Sequence, residues 1–343
     1  MLVPVSIRVL EHTPEELRSA VEAAGQPGYR AKQLADWVYD KAVTDPSAMS
    51  NVPEALAREA RVLTSRIAAR ADSRDGTVKL LLELHDGERI ECVLIPTRDR
   101  ATACISTQVG CAFCCTFCAT GQGGFLRDLT GGEILEQLLH LRQAAGRRIT
   151  NVVFMGMGEP LANYDATVRA LRAIIDPERF GISARSVTVS TVGLPDGIRR
   201  LATEDIPVTL ALSLHAPNDA LRRELMPHAA GQPLAEIVSA ARDFYASRKR
   251  EVTLEYLLLA GVNDSAFCAD SLARLAHRLR CNVNVIRYNP VAGLPYARPD
   301  GNAARAFVRR LRRGGVNAHL RRSRGRDAEA ACGQLRRRAS RTP

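Results

Sequence analysis

The sequence predicts an α/β protein built on a parallel sheet with its helices outside. From about residue 102 a strand pattern and a helix pattern alternate six times, and such alternation is the mark of βα units, whose strands pair in parallel. Two of the strands, VTLALSL and VTLEYLLL, are almost continuously apolar, as strands covered on both faces must be. Glycine-bearing or polar stretches follow five of the six strands, where ligands of such sheets bind.

The N-terminal part differs in texture. Residues 14–70 read helical, with apolar periodicity in PEELRSAVEAAG and RAKQLADWVYDKAV. They predict a small accessory domain, set at 1–75, with possible RNA contacts. TVKLLLEL, HDGE and RIECVLIP then read as a hairpin linker over 76–97, with Asp86-Gly87 as the turn. The core, 98–343, has expected strands near 102–107, 151–155, 186–191, 207–214, 252–259 and 282–288. Helices are expected near 130–145, 163–176, 195–204, 233–247, 266–280 and 302–313. Alternation alone leaves an open doubly wound sheet and an incompletely closed barrel both open. In either, the cysteine run after the first strand, then GMGEP, STVG, SLHAPND and YNP, converge on one mouth.

With 343 residues and 46% hydrophobic content, the chain can bury a large core. No apolar run approaches the roughly 18 residues of a membrane span. The opening MLVPVSIRVLEHTPEEL lacks the order of a signal peptide. A cytoplasmic protein with no membrane association is expected. The net charge is +11, and residues 298–343 hold fourteen arginines against Asp300, Asp327 and Glu329, a local excess equal to that of the whole chain. The chain uses forty-four arginines and four lysines, so clustering rather than count points to a polyanion such as nucleic acid.

Nine cysteines, an odd number, argue against an extracellular disulfide framework and for metal binding or thiol chemistry. Four of them fall in CAFCCTFCATG, residues 111–121. All four on one zinc ion is one reading, although structural zinc usually takes two separated pairs. The other is a loop wrapping Cys111, Cys115 and Cys118 around a cubane iron-sulfur cluster, with one iron left open and Cys114 spare.

C-x3-C-x2-C after the first strand of a βα domain resembles the signature of radical S-adenosylmethionine enzymes. Phe117 before the third cysteine and GMGEP, similar to that superfamily's "GGEP" stretch, extend the likeness. ECVLIPTRDRATACISTQVGC, FCATGQGG, NVVFMGMGEPL, LSLHAPND, EYLLLAGVND, YNP and RGRDAEAACGQL together resemble the RlmN/Cfr family of RNA adenine methyltransferases, most of all its RlmN branch.

The resemblance implies a partial (β/α)6 barrel, a 4Fe-4S cluster on Cys111, Cys115 and Cys118, and two molecules of S-adenosylmethionine per turnover. It implies that Cys332 takes a methyl group from the first molecule and that the second, split on the open iron, yields a radical that removes hydrogen from that methyl. The methylene radical then adds to carbon 2 of adenine, Glu91 accepts the ring proton, and Cys104 closes a disulfide with Cys332 to release product. Gly158, Glu159, Ser190, Ser213, Leu214, His215 and Asn289 match the family's cofactor contacts, and Met155 either packs the core or shapes the substrate pocket. The implied substrates are 23S ribosomal RNA at the peptidyl transferase centre and tRNA beside the anticodon. An electron donor such as flavodoxin or ferredoxin and a monomeric enzyme are also expected. The chain departs from the family at 226–233, MPHAAGQP, where a polar stretch is usual. Three rivals are methylation at carbon 8, a non-catalytic zinc-stabilised RNA-binding protein, and a radical enzyme of another kind such as a glycyl-radical activase.

Overall fold

The computed structural model describes residues 7–229 and 231–336. Its N-terminal part comprises β1 (Ile7–Arg8), α1 (Pro14–Ala23), α2 (Tyr29–Ala35), α3 (Glu54–Glu59) and β2 (Ala60–Arg61), with β1 and β2 paired in parallel. Helix α1 starts at Pro14 because Thr13 and Glu16 close a reciprocal capping box and proline is preorganised there. Then come β3 (Arg66–Asp72), β4 (Val78–Glu83), β5 (Arg89–Pro96) and β6 (Ala101–Cys104). A small hairpin of β7 (Gln108–Gly110) and β8 (Phe125–Asp128) brackets α4 (Ala119–Gln122).

The remainder alternates: α5 (Gly131–Ala145), β9 (Asn151–Phe154), α6 (Tyr164–Ile175), β10 (Val187–Thr191), α7 (Pro195–Thr203), β11 (Thr209–Ser213), α8 (Asp219–Leu225), α9 (Leu234–Arg248), β12 (Val252–Leu258), α10 (Ala266–Ala276), β13 (Cys281–Arg287), α11 (Gly301–Arg313) and β14 (Ala318–Arg321). One ten-stranded sheet runs in the order β14-β13-β12-β11-β10-β9-β6-β5-β4-β3. From β6 to β14 every pairing is parallel, and from β6 to β3 every pairing is antiparallel. The strand and helix positions expected for the six βα units are those observed, to within a few residues. A seventh parallel strand, β14, closes the series and leads into the arginine-rich stretch 321–326.

Two features differ from expectation. Residues 66–72 form an edge strand rather than a helix. RIAARAD carries three alanines and Ile67 as its one β-branched residue, so pairing with β4 overrides local propensity. The β4–β5 hairpin links the helical part to the core and is itself part of the main sheet, through β5 against β6.

Side chains of α5 anchor the N-terminal part. Glu136 accepts from the backbone N–H groups of Thr64 and Ser65, each at 2.8 Å. Glu11 accepts from the N–H of Gly132 at 3.1 Å, and Arg179 of the loop after α6 donates to the Tyr39 hydroxyl at 2.7 Å. Among the described residues no helix is long and apolar enough to cross a membrane.

Candidate active site

The parallel strands end at one rim, and the β7–β8 hairpin hangs the cysteine loop over it. The N–H of Cys111 donates to the Gly124 carbonyl at 2.8 Å, closing the loop at its base. The N–H of Thr116 donates to the Leu225 carbonyl of α8 at 3.0 Å, and that of Ala119 to the Gly333 carbonyl at 2.9 Å. Within this frame Cys111, Cys115 and Cys118 line a single cavity, whereas Cys114, held at φ 47°, does not. Burial pushes the Cys111 thiol up to about 12 and the Cys115 thiol well above its usual value, and neighbouring thiols push both further. Such sulfurs ionise only as ligands of a cation. Among the described residues no three His, Cys, Asp or Glu side chains are grouped to hold one metal ion. Three thiols around a shared cavity fit a cubane cluster, which takes three thiolates and leaves one iron open.

The expected cofactor contacts gather around the same cavity. Gly158, Glu159, Ser190, Ser213 and His215 line it. Glu159 is 2% exposed; its carboxylate accepts from the N–H of Val192 at 2.7 Å and of Leu161 at 3.0 Å. Burial nevertheless pushes it up to about 7, a cost that an ammonium group alongside would offset. Gly158 has φ 98°, and a Cβ there would lie 2.6 Å from the Gln108 side chain, so only glycine brings the chain this close. The Ser190 and Ser213 hydroxyls are 3.1 Å apart. His215 accepts at Nδ1 from the N–H of Leu257 at 3.1 Å, and burial with Arg222 nearby pushes it down to about 3, so it is neutral.

Two of the expected contacts sit elsewhere. Leu214 is buried behind the wall, its carbonyl bound by Arg222 at 2.9 Å. Asn289 borders a second cavity and donates to the Cys332 carbonyl at 3.3 Å.

That second cavity also holds Cys104, at the end of β6. Cys332, Met155, Ile286, Arg321 and Leu335 line both cavities and so form the wall between them. Cys332 thus lies within the sheet's rim rather than outside it. All nine cysteines are free, so the disulfide expected between Cys104 and Cys332 is absent from this structure. Burial pushes Cys104 up to about 12, which keeps it a thiol. Glu91 is 1% exposed and, among the described residues, lines neither cavity. Its Oε1 lies 3.0 Å from Lys79 Nζ, and its Oε2 accepts from the N–H of Arg336 at 3.0 Å.

Several residues of the site carried no expectation. Glu255 on β12 lines the first cavity; Asn284 donates to its Oε1 at 3.1 Å, whereas its buried Oε2 has no hydrogen-bond partner among the described residues and lies 3.9 Å from Arg321. A glutamate inside the apolar run VTLEYLLL was the available signal. In the departing stretch, Met226 is buried and the His228 ring lies 2.7 Å from the Ala112 carbonyl of the cysteine loop.

Comparison with known proteins follows the same division of the chain. A family described as the radical SAM superfamily matches residues 105–270, and one described as the ribosomal RNA large subunit methyltransferase N-terminal domain matches residues 7–61. The chain is 46% identical to a probable dual-specificity RNA methyltransferase RlmN of Thermosynechococcus vestitus, over 96% of this chain and 98% of that protein. It is 47% identical to a protein so described from Thermus thermophilus, over 95% of this chain and 92% of that one. A crystal structure of a radical SAM methyltransferase from Sphaerobacter thermophilus superposes with a TM-score of 0.93 at 43% identity, covering 96% of this chain and 99% of that chain.

Proposed function

The chain belongs to the RlmN family of radical S-adenosylmethionine RNA methyltransferases, and on that premise we propose that it methylates carbon 2 of an adenosine in 23S ribosomal RNA and in tRNA, with Cys332 as methyl carrier. The family's 4Fe-4S cluster falls to Cys111, Cys115 and Cys118. When bound, cluster and cofactor supply a radical able to take one hydrogen atom from a methyl group.

The chain's own residues account for the rest. The Glu159 carboxylate would hold the cofactor's ammonium group, and Ser190, Ser213 and His215 would offer it polar atoms along the cavity wall. The Cys332 sulfur attacks the sulfonium methyl, the old carbon–sulfur bond breaks, and the methyl stays on the protein. Carbon 2 is an electron-poor ring carbon, so it accepts a carbon radical where polar transfer fails. The second cavity receives the base, which must leave its stack to enter, and Arg322 and Arg324 on its lining suit the flanking phosphates. Glu91 takes the ring proton, which requires the C-terminal segment to shift, since Arg336 now occupies Oε2. Once the adduct has given up its odd electron, which the cluster would accept, Cys104 loses its proton and attacks the Cys332 sulfur; the sulfur–carbon bond breaks as the disulfide forms, and the released carbon takes up a proton to become the methyl group.

One observation carries this reading: Cys332 stands in the wall shared by the cavity of the cluster cysteines and the cavity of Cys104. Intact-protein mass spectrometry should find one added methyl on Cys332, absent from Cys332→Ala, and nucleoside mass spectrometry should find 2-methyladenosine. Product methylated at carbon 8, or turnover by Cys332→Ala, would refute it.

A further inference from the structure

The segment that carries Cys332 is held at both ends. On the cavity side, Asn289 binds the Cys332 carbonyl at 3.3 Å and Ala119 donates to the Gly333 carbonyl at 2.9 Å. On the sheet side, the restraints meet at one buried cation. Lys79 on β4 is 4% exposed, while Lys32, Lys41 and Lys249 are all exposed. In a chain that otherwise uses arginine almost throughout, a lysine here is a compact point charge with three donors rather than a planar fork.

The Lys79 ammonium joins a carboxylate to the backbone. Its Nζ lies 3.0 Å from Glu91 Oε1 and donates to the Glu329 carbonyl at 3.0 Å. Glu91 Oε2 in turn accepts from the N–H of Arg336. The Lys79–Glu91 pair therefore touches the segment three residues before Cys332 and four residues after it. Both partners are shut away from water, where an ion pair stands only if its remaining donors and acceptors are satisfied, and here the backbone of the Cys332 segment satisfies them.

We propose that Lys79 is a positioning residue of the methylation reaction: one ammonium sets the carboxylate that takes the ring proton and seats the segment whose sulfur carries the methyl. The proposal rests on the assignment of those roles to Glu91 and Cys332. It couples two groups that act at different steps: the segment is seated while Arg336 holds Oε2, and once Arg336 leaves, the ammonium still fixes the carboxylate through Oε1. Loss of the ammonium takes the cation away from a buried carboxylate and one donor away from the Glu329 carbonyl, and both effects loosen residues 329–336 without touching the cysteine loop.

The test uses the full-length, cluster-loaded enzyme as Lys79→Met and as the double variant Lys79→Met/Glu91→Gln. In the double variant neither charge of the pair remains, yet the side-chain oxygen at position 91 can still accept from the N–H of Arg336. Amide exchange in 329–336 should quicken about tenfold or more in both, with the cysteine loop unchanged. Iron content and reductive cleavage of S-adenosylmethionine should stay within about twofold, while RNA methylation by Lys79→Met falls by about tenfold or more. Deoxyadenosine formed per RNA methyl therefore rises, which a merely destabilised enzyme would not show. Wild-type exchange in 329–336 in the double variant, or an unchanged deoxyadenosine-to-methyl ratio in Lys79→Met, would overturn the proposal. A wild-type enzyme that neither carries a methyl on Cys332 nor methylates RNA would sink the functional reading instead, while the exchange experiment still decides whether Lys79 seats the segment.

Discussion

Arg222 is 1% exposed, and its guanidinium bridges the loops that follow two neighbouring strands. Nη1 donates to the carbonyls of Leu214 at 2.9 Å and Ser213 at 3.4 Å, and Nη2 donates to that of Val192. Those loops carry or adjoin Ser190, Ser213 and His215, so one side chain sets the spacing of the cofactor wall. Arg222→Met should cost about 2–4 kcal/mol, because it leaves buried carbonyls unsatisfied, read as a lower midpoint in denaturant unfolding. Arg222→Lys should recover little, since an ammonium cannot span both loops. Nothing in the sequence marks Arg222 among forty-four arginines. The cluster cysteines and Glu159 were legible because their chemistry is written in short local spacings. Lys79, Arg222 and Arg321 act through partners far away in the chain, and a side chain's burial is not a property of its neighbours in sequence.

At the scale of elements, α5 shows how a helix can carry a pH response. His140 lies 3.0 Å from the Ser65 hydroxyl, its Nδ1 has no hydrogen-bond partner among the described residues, and burial pushes it down to about 4. Between about pH 4 and the 6.5 of an unfolded histidine, the unfolded chain binds a proton that the folded chain refuses. Stability should therefore fall as pH drops through that window, by on the order of 3 kcal/mol. His140→Gln should flatten the curve of unfolding free energy against pH, and an equally steep curve would count against it. The β7–β8 hairpin gives a second case. Gly110 has φ 84°, and a Cβ there would come within 1.9 Å of the Gly124 carbonyl. Gly110→Ala should splay the hairpin and open the base of the cysteine loop, read as a several-fold drop in bound iron with the far-ultraviolet spectrum preserved. The parallel units were legible as elements because apolar periodicity and length agreed. Strand Arg66–Asp72 was not, because its pairing partner rather than its own composition makes it extended.

Across the whole molecule, charge and topology point to the same end of the chain. Arg321, Arg322 and Arg324 follow one another into the lining of the second cavity, just ahead of Cys332, so the basic C-terminal stretch marked by composition is in part an active-site wall. The logarithm of RNA affinity should fall linearly with the logarithm of salt concentration, and replacing Arg322 and Arg324 by alanine should lower that slope by about one for each phosphate no longer neutralised. An unchanged slope would place the RNA backbone elsewhere.

Cys332 stands like a gate in a partition, with the cluster cysteines on one side and Cys104 on the other. A group parked on that atom is already in reach of both rooms. If Cys332 carries the methyl group as proposed, loading and delivery need only a swivel of one side chain rather than a journey, and because the rooms are separate, the sulfur can be charged while a guest base waits next door.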